Sequence, residues 1–287
     1  MGEAKFLNKP AAPADDSKNR WAEMPRWYLW DGGFLLTGRG HGVIPPHQHH
    51  AIQIVFTIDG EVGIRGERAD WQMCRGAIVR QDVVHSFNAN GAMEAMLFVD
   101  PESSEGVWLQ SALREDITVI PDQRLSAPVA ALRTFCSQPL ESLGTQEIIQ
   151  LCVQSLCSGA APSRRLDERV TKVLTAIRGS DELRMSIDEA AAMAFLSPSR
   201  FAHLFKEQVG LPFRRYMLWR KMTRAMLVIG RHRTISTAAH EADFADAAHL
   251  TRTFYQMVGL PPSVLMQGEF FEIPPPFEVA IASPSKP

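Results

Sequence analysis

The sequence predicts an α+β chain in two parts: an N-terminal β domain of barrel or sandwich type, and an all-α C-terminal domain carrying two helix-turn-helix units. Three observations lead there. The stretch Phe-Lys-Glu-Gln-Val-Gly-Leu-Pro beginning at Phe205 returns as Phe-Tyr-Gln-Met-Val-Gly-Leu-Pro at Phe254, an internal repeat 49 residues apart. Residues 27–99 instead break into short β-branched and aromatic runs punctuated by Gly, Pro, Asp or Asn. Charge divides along the same line: residues 164–268 hold 16 Lys and Arg against 10 Asp and Glu, residues 1–163 hold 13 against 19, and the tail holds 1 against 3. A chain of net charge −2 is therefore a basic domain of +6 joined to an acidic one of −6.

Residues 1–19 are polar, contain proline, lack a signal-type apolar run and read as a disordered arm. A β domain follows at 20–125, with strands expected at 27–30, 33–37, 52–58, 61–65, 77–80, 83–87 and 93–99. Within them lie His47, His49, Gln53 and Gly60, with His85 a further 25 residues on. This resembles the two-part cupin signature, His-x-His-x3-Glu-x6-Gly followed by a later histidine. Gln53 stands at the acid's position, and Arg80 and Asp82 replace the usual proline and glycine. The resemblance implies a cupin-like β-barrel in which His47, His49, Gln53 and His85 converge. Three imidazoles suit Zn, Fe, Ni or Cu, and exchanging the carboxylate for an amide weakens divalent binding. Two uses stay open, a metal held by these four residues and a metal-free pocket in which they hydrogen-bond an organic effector; histidines with a purely structural role are the third. Trp30, Arg65, Trp71 and Phe87 are candidate pocket walls.

Residues 126–163 form a helical segment and linker. Helices are expected at 127–135 and 145–157, the second with one apolar face made of Ile148, Ile149, Cys152, Val153 and Leu156. That face either packs back on the β domain or meets its copy in a second chain. Ser158–Ser163 reads as a flexible linker. Cys74, Cys136, Cys152 and Cys157 show neither CxxC nor zinc-finger spacing and are read as reduced core thiols.

In the C-terminal part, Ser197 and Asp246 are N-cap residues, Gly210 and Gly259 are left-handed stops, and Pro212 and Pro261 bar continuation. Ala-rich segments at 187–194 and 235–242 precede each capped helix by about three residues, and their small side chains allow two helices to cross closely. A short helix, a tight turn and a second helix is the arrangement that places the second helix in the DNA major groove. Residues 166–266, including Ser197-Pro-Ser-Arg-Phe-Ala-His-Leu-Phe-Lys and Phe244-Ala-Asp-Ala-Ala-His-Leu-Thr-Arg-Thr-Phe, resemble the AraC/XylS family of transcriptional regulators, whose DNA-binding domain joins two such units by a long helix, here 213–229. Phe195 and Asp243 occupy turn positions where that family usually has glycine. For Phe195 this implies either local strain or a different turn.

The resemblance implies that Ser199, Ala202 and His203 in the first recognition helix, and Ala247, Ala248, Thr251 and Arg252 in the second, face base edges, while Arg200 and Lys206 touch phosphate. Arg214, Arg215, Arg220, Lys221 and Arg224, with Arg231 and Arg233, are further candidates for phosphate contact. It also implies a cupin-like effector domain, favours the 145–157 face as a homodimer contact, and makes double-stranded DNA, a small-molecule effector and, for an activator, RNA polymerase the partners. The expected function is an effector-controlled, sequence-specific transcriptional regulator without enzyme activity. The alternative is a metal-dependent cupin enzyme with an accessory DNA-binding domain. The sequence shows no membrane span, which places the chain in the cytoplasm. The residues after 268 read as a Pro-rich tail, disordered beyond Ile273.

Overall fold

The computed structural model describes residues 5–8, 22–137, 144–157, 166–180 and 182–273. They form two compact units, Met1–Pro162 with Tyr255–Pro287, and Ser163–Phe254.

Unit 1 is built on two sheets. Its strands are β1 (Lys5–Asn8), β2 (Ala22–Trp30), β3 (Gly33–Gly40), β4 (Val43–His47), β5 (Ile52–Asp59), β6 (Val62–Gly66), β7 (Gln72–Cys74), β8 (Gly76–Val79), β9 (His85–Asn88), β10 (Met93–Val99), β11 (Ile117–Val119) and β12 (Glu269–Glu272). The larger sheet runs β1-β12-β2-β3-β10-β5-β8-β11 and the smaller β4-β9-β6-β7. No hydrogen-bonded ladder joins them among the described residues, so the expected barrel is an open double sheet. All seven predicted strands are present, several with shifted ends. Sequence reading missed β4, where Pro45 and Pro46 coincide with a register shift, and clipped β2, where Pro25 does the same. Lys5–Asn8 is a strand in the stretch expected to be disordered, and Glu269–Glu272, assigned to the tail, pairs parallel with β2. The rest of the arm, the 158–163 linker and the tail beyond 273 lie outside the described residues.

Alternation along the strands gives the large sheet two faces. Tyr28, Leu35, Ile54, Phe56 and Leu97 point outward into a core shared with α1 (Ser104–Ala112), α2 (Asp122–Ser137) and α3 (Thr145–Leu156). Ile148, Ile149, Cys152, Val153 and Leu156 of α3 are all buried there. This corrects the expectation that the face is a dimer contact: it is buried within its own chain, in the core where α3 packs on α2 and α1. All four cysteines are free thiols, and burial raises the pKa of each, which keeps them unreactive.

Unit 2 contains α4 (Glu168–Arg178), α5 (Ile187–Met193), α6 (Pro198–Val209), α7 (Phe213–His232) and α8 (Ile235–Glu241); α9 (Ala247–Val258) begins in unit 2 and ends in unit 1. Phe201, Phe205, Phe213 and Tyr216 interlock at its centre, with ring centroids 5.2–5.6 Å apart. The predicted caps form: Ser197 accepts from the Arg200 amide and Asp246 from the His249 amide, and Gly210 and Gly259 adopt left-handed backbones. The two turns match bond for bond, with Leu196 N–H donating to Ala191 O and Phe244 N–H to Ala239 O, although the second contains one extra residue, Ala245. Phe195 takes the left-handed conformation that glycine usually supplies, at φ 54°, and is 86% exposed with Lys172 above its ring. Asp243, at φ 59°, anchors its turn through its carboxylate to the Leu183 amide and the Arg184 side chain.

Phe195 buries little and holds a strained backbone, so Phe195→Gly is expected to stabilise residues 163–254 by roughly 1 kcal/mol, the left-handed strain less a weak cation–π contact. Urea unfolding of that fragment checks this.

Candidate DNA-binding surface and effector cavity

In α6, Ser199, Arg200, His203 and Lys206 are exposed and Ala202 is half-exposed, while Phe201, Phe205 and Val209 face the core. In α9, Ala248 and Arg252 are exposed, Ala247 and Thr251 are half-exposed, and Leu250, Thr253 and Phe254 are buried. Each helix therefore presents the residues assigned to DNA on its solvent side. The Thr251 hydroxyl already donates to Ala247 O at 2.7 Å, whereas His203 and Arg252 are exposed. The basic run on α7 divides. Arg214 and Arg215 are exposed, whereas the Lys221 ammonium donates to Asp243 O at 2.9 Å and holds the second turn.

In unit 1, His47 on β4, His85 on β9 and His49 after β4 come together, their ligand nitrogens all within 4.8 Å. Each Nδ1 faces a carbonyl two residues away: Pro45 O at 2.9 Å, Ala51 O at 2.8 Å and Val83 O at 3.0 Å. A carbonyl only accepts, so each Nδ1 carries the proton and each neutral ring keeps its lone pair on Nε2. Burial, followed by mutual repulsion, lowers the pKa of His47 to about 4 and of His85 to about 2, and burial lowers that of His49. The Gln53 amide oxygen lies 3.0 Å from Nε2 of both His49 and His85, so acceptor faces acceptor. Either a cation lies among these lone pairs, or the amide is turned so that its NH2 donates to both rings. Backbone-anchored Nδ1–H groups and convergent Nε2 lone pairs are how proteins orient imidazole ligands, so the residues fit a borderline transition metal.

The inner wall continues along the large sheet. Gln53 pairs with Phe98, Met96 with Leu36, and Leu36 with Trp27, all on one face, with Glu94 two residues along from Met96 and opposite Thr57. The Gln53 amide nitrogen donates to Met96 Sδ at 3.6 Å. Trp27, Leu36, Glu94 and Met96 line a cavity closed on one side by Leu260, Val264 and Gln267 of the same unit. Of the walls expected from sequence, Phe87 is buried two residues from His85. Trp30 instead packs into the core behind the sheet, and Trp71 sits at the surface with Arg65 stacked over it at 4.7 Å. Sequence reading missed Trp27, Thr57, Glu94 and Met96, since only strand register shows that they share a face with Gln53.

Next to the cluster, His50 donates to Glu102 at 3.0 Å. Burial opposes its charge, but Glu102, Asp82 and Asp100 outweigh this and raise its pKa to about 10. Metal-free protein is expected to lose stability as pH falls below 6.5 toward 4 and then 2, where the unfolded chain binds protons that His47 and His85 refuse. It loses the His50 contribution as pH rises from 6.5 through about 10. Urea midpoints across pH check both limbs; His85→Gln flattens the acid limb and His50→Gln the alkaline one.

Residues 190–268 match the family described as a helix-turn-helix domain. The chain is 28% identical over 224 residues to the probable transcriptional regulator LumQ of Photobacterium leiognathi, covering 76% of this chain and 90% of that protein. It is 31% identical over 107 residues to the arabinose operon regulatory protein of Escherichia coli, covering 36% of each. Its fold is similar to that of ToxT from Vibrio cholerae bound to (E)-4-(8-methylnaphthalen-1-yl)but-3-enoic acid, with a TM-score of 0.54 at 9% identity over 82% of this chain and 99% of that one. Among the described residues no helix is long and apolar enough to cross a membrane. Residues 190–268 therefore carry a helix-turn-helix domain, and the chain is similar to transcriptional regulators of the AraC type.

Proposed function

We propose that this regulator switches transcription in response to a small molecule bound on the inner face of unit 1, and that it reads its operator through His203 and Arg252. The observation that carries this is the composition of the inner face: buried polar side chains gathered inside a sheet-rich unit that shares a chain with a DNA-binding one. ToxT, of the same fold, is solved with organic ligands, which supports the same use of the cavity here. The reading is of a sensor and not a catalyst, acting in the cytoplasm where its DNA lies. RNA polymerase is the partner if it activates. A homodimer would need a surface other than the α3 face.

A metal, of the Zn, Fe, Ni or Cu group, would be held by His47, His49 and His85 with the Gln53 amide oxygen. When bound it would supply a fixed positive charge to an effector's oxygen or nitrogen. The chain's own part is to hold three rings neutral and oriented through their Nδ1–H bonds. Elemental analysis of protein purified without chelators, with zinc titration, tests this: His85→Ala should abolish metal content and Gln53→Glu should strengthen binding. Protein that neither carries nor takes up metal overturns the metal reading and leaves the organic effector.

For DNA, Arg252→Ala should weaken binding to a site from the protein's own promoter by about 1 to 3 kcal/mol and relax preference at one or two base pairs, while Lys206→Ala weakens specific and non-specific binding alike. Binding-site selection with both variants decides it. An unchanged preference for Arg252→Ala assigns that arginine to the backbone.

A further inference from the structure

Three buried polar atoms on the inner wall of unit 1 have no hydrogen-bond partner among the described residues: Trp27 Nε1, Thr57 Oγ1 and Glu94 Oε2. Their residues are 4%, 0% and 4% exposed, so bulk water does not reach them. They share one face of the sheet. Thr57 is directly opposite Glu94 across the adjacent strands β5 and β10, and Trp27 lies on β2, beyond β3, in the row of Leu36 and Met96 two residues along from Glu94. Orphaned buried polar groups are rare and each destabilises the fold, so three together need an explanation. Space has also been kept for the carboxyl: a Cβ at Gly40 would lie 2.5 Å from Glu94 Oε1.

We propose that Trp27, Thr57 and Glu94 form the recognition end of an effector site for a small, uncharged, largely apolar molecule bearing one oxygen function, a hydroxyl or a carbonyl. This rests on the reading that the inner face of unit 1 takes an effector. Charge sets the class. No lysine or arginine lines the cavity, whose basic residue is His41, so an anionic ligand would find no permanently charged counter-ion there. The Trp27 indole N–H is a donor only, and an ammonium ligand would leave it unmet. Desolvation holds the Glu94 carboxyl protonated, so it too can donate. A neutral oxygen accepts from donors of this kind, and both residues line the cavity. Leu36, Met96, Leu260 and Val264 take the apolar remainder. Met96 also neighbours the Gln53 amide, whose other side meets His49 and His85.

The test uses the full-length protein with benzyl alcohol, acetophenone, benzylammonium and benzoate as probes, binding being read by isothermal calorimetry and by the melting temperature. Benzyl alcohol and acetophenone are expected to bind and the two ions not. Trp27→Phe and Glu94→Leu each weaken binding by about ten-fold, while Glu94→Gln, which keeps a neutral donor, retains it. Without probe, Glu94→Leu should melt at or above the wild type, since it removes an unsatisfied group and leaves no partner stranded. Failure of both neutral probes to bind, preference for benzylammonium with loss in Glu94→Gln, or a ligand-free Glu94→Leu that melts below the wild type each overturns the proposal. The regulator reading fails separately. It fails if wild-type protein does not bind its own promoter DNA, whereas Glu94→Leu should bind that DNA as the wild type does.

Discussion

Desolvation of polar groups on the inner face of the large sheet is the constraint on which the rest of unit 1 depends. A half-buried sheet ordinarily alternates apolar and polar residues so that one face meets solvent. Here both faces are covered. The outer face packs on three helices through Tyr28, Phe56, Leu97 and the α3 stripe. The inner face holds Gln53, Thr57 and Glu94 away from water, and the buried His47 and His85 of the smaller sheet, with His49, gather beside Gln53. Buried groups of this kind survive when something satisfies them. The histidines are met on one side by backbone carbonyls. Nε2 of His49 and of His85 meets the Gln53 amide, and of the residues with orphaned atoms farther along the wall, Trp27 and Glu94 line the cavity.

The C-terminal segment belongs to the same constraint. Gly259 ends α9 with φ 76°, and a Cβ there would strike Ile44 and lie 3.1 Å from His47 Nδ1. Leu260, Val264 and Gln267 then line the cavity, and Glu269–Glu272 extends the sheet beside β2. The chain leaving the second recognition helix is thus built into the wall of the sensor unit. Gly259 serves as a helix stop like Gly210, but only Gly259 also answers a demand for space, because the position beyond Gly210 is open. The segment that lines this cavity directly follows α9 in the chain.

Much of this was legible in the sequence. Caps, stops and apolar stripes are local features, so α6 and α9 were placed from Ser197, Asp246, Gly210 and Gly259, and the cupin-like spacing brought three histidines and Gln53 to one point. What was not legible depends on pairing between distant strands. Glu94 reads as an ordinary acid in a strand; it becomes a buried one only through its register with Gly38 on β3 and Thr57 on β5. The α3 face reads equally well as a dimer contact or an inner core, and only its packing on α2 and α1 decides between them. Phe195 was legible as an anomaly, and the turn did not change to accommodate it. The backbone keeps its left-handed residue because the bond from Leu196 to Ala191 requires it.

The central claim is that the inner face of unit 1 senses and the helix-turn-helix units bind. Promoter affinity of the purified protein and promoter output in cells, measured together for a variant with His47, Gln53 and Glu94 all replaced by leucine, test it most directly. The account predicts wild-type affinity for promoter DNA in vitro with output in cells locked at one level, unresponsive to growth conditions that move the wild type. A variant of unchanged DNA affinity whose output still follows those conditions would contradict it.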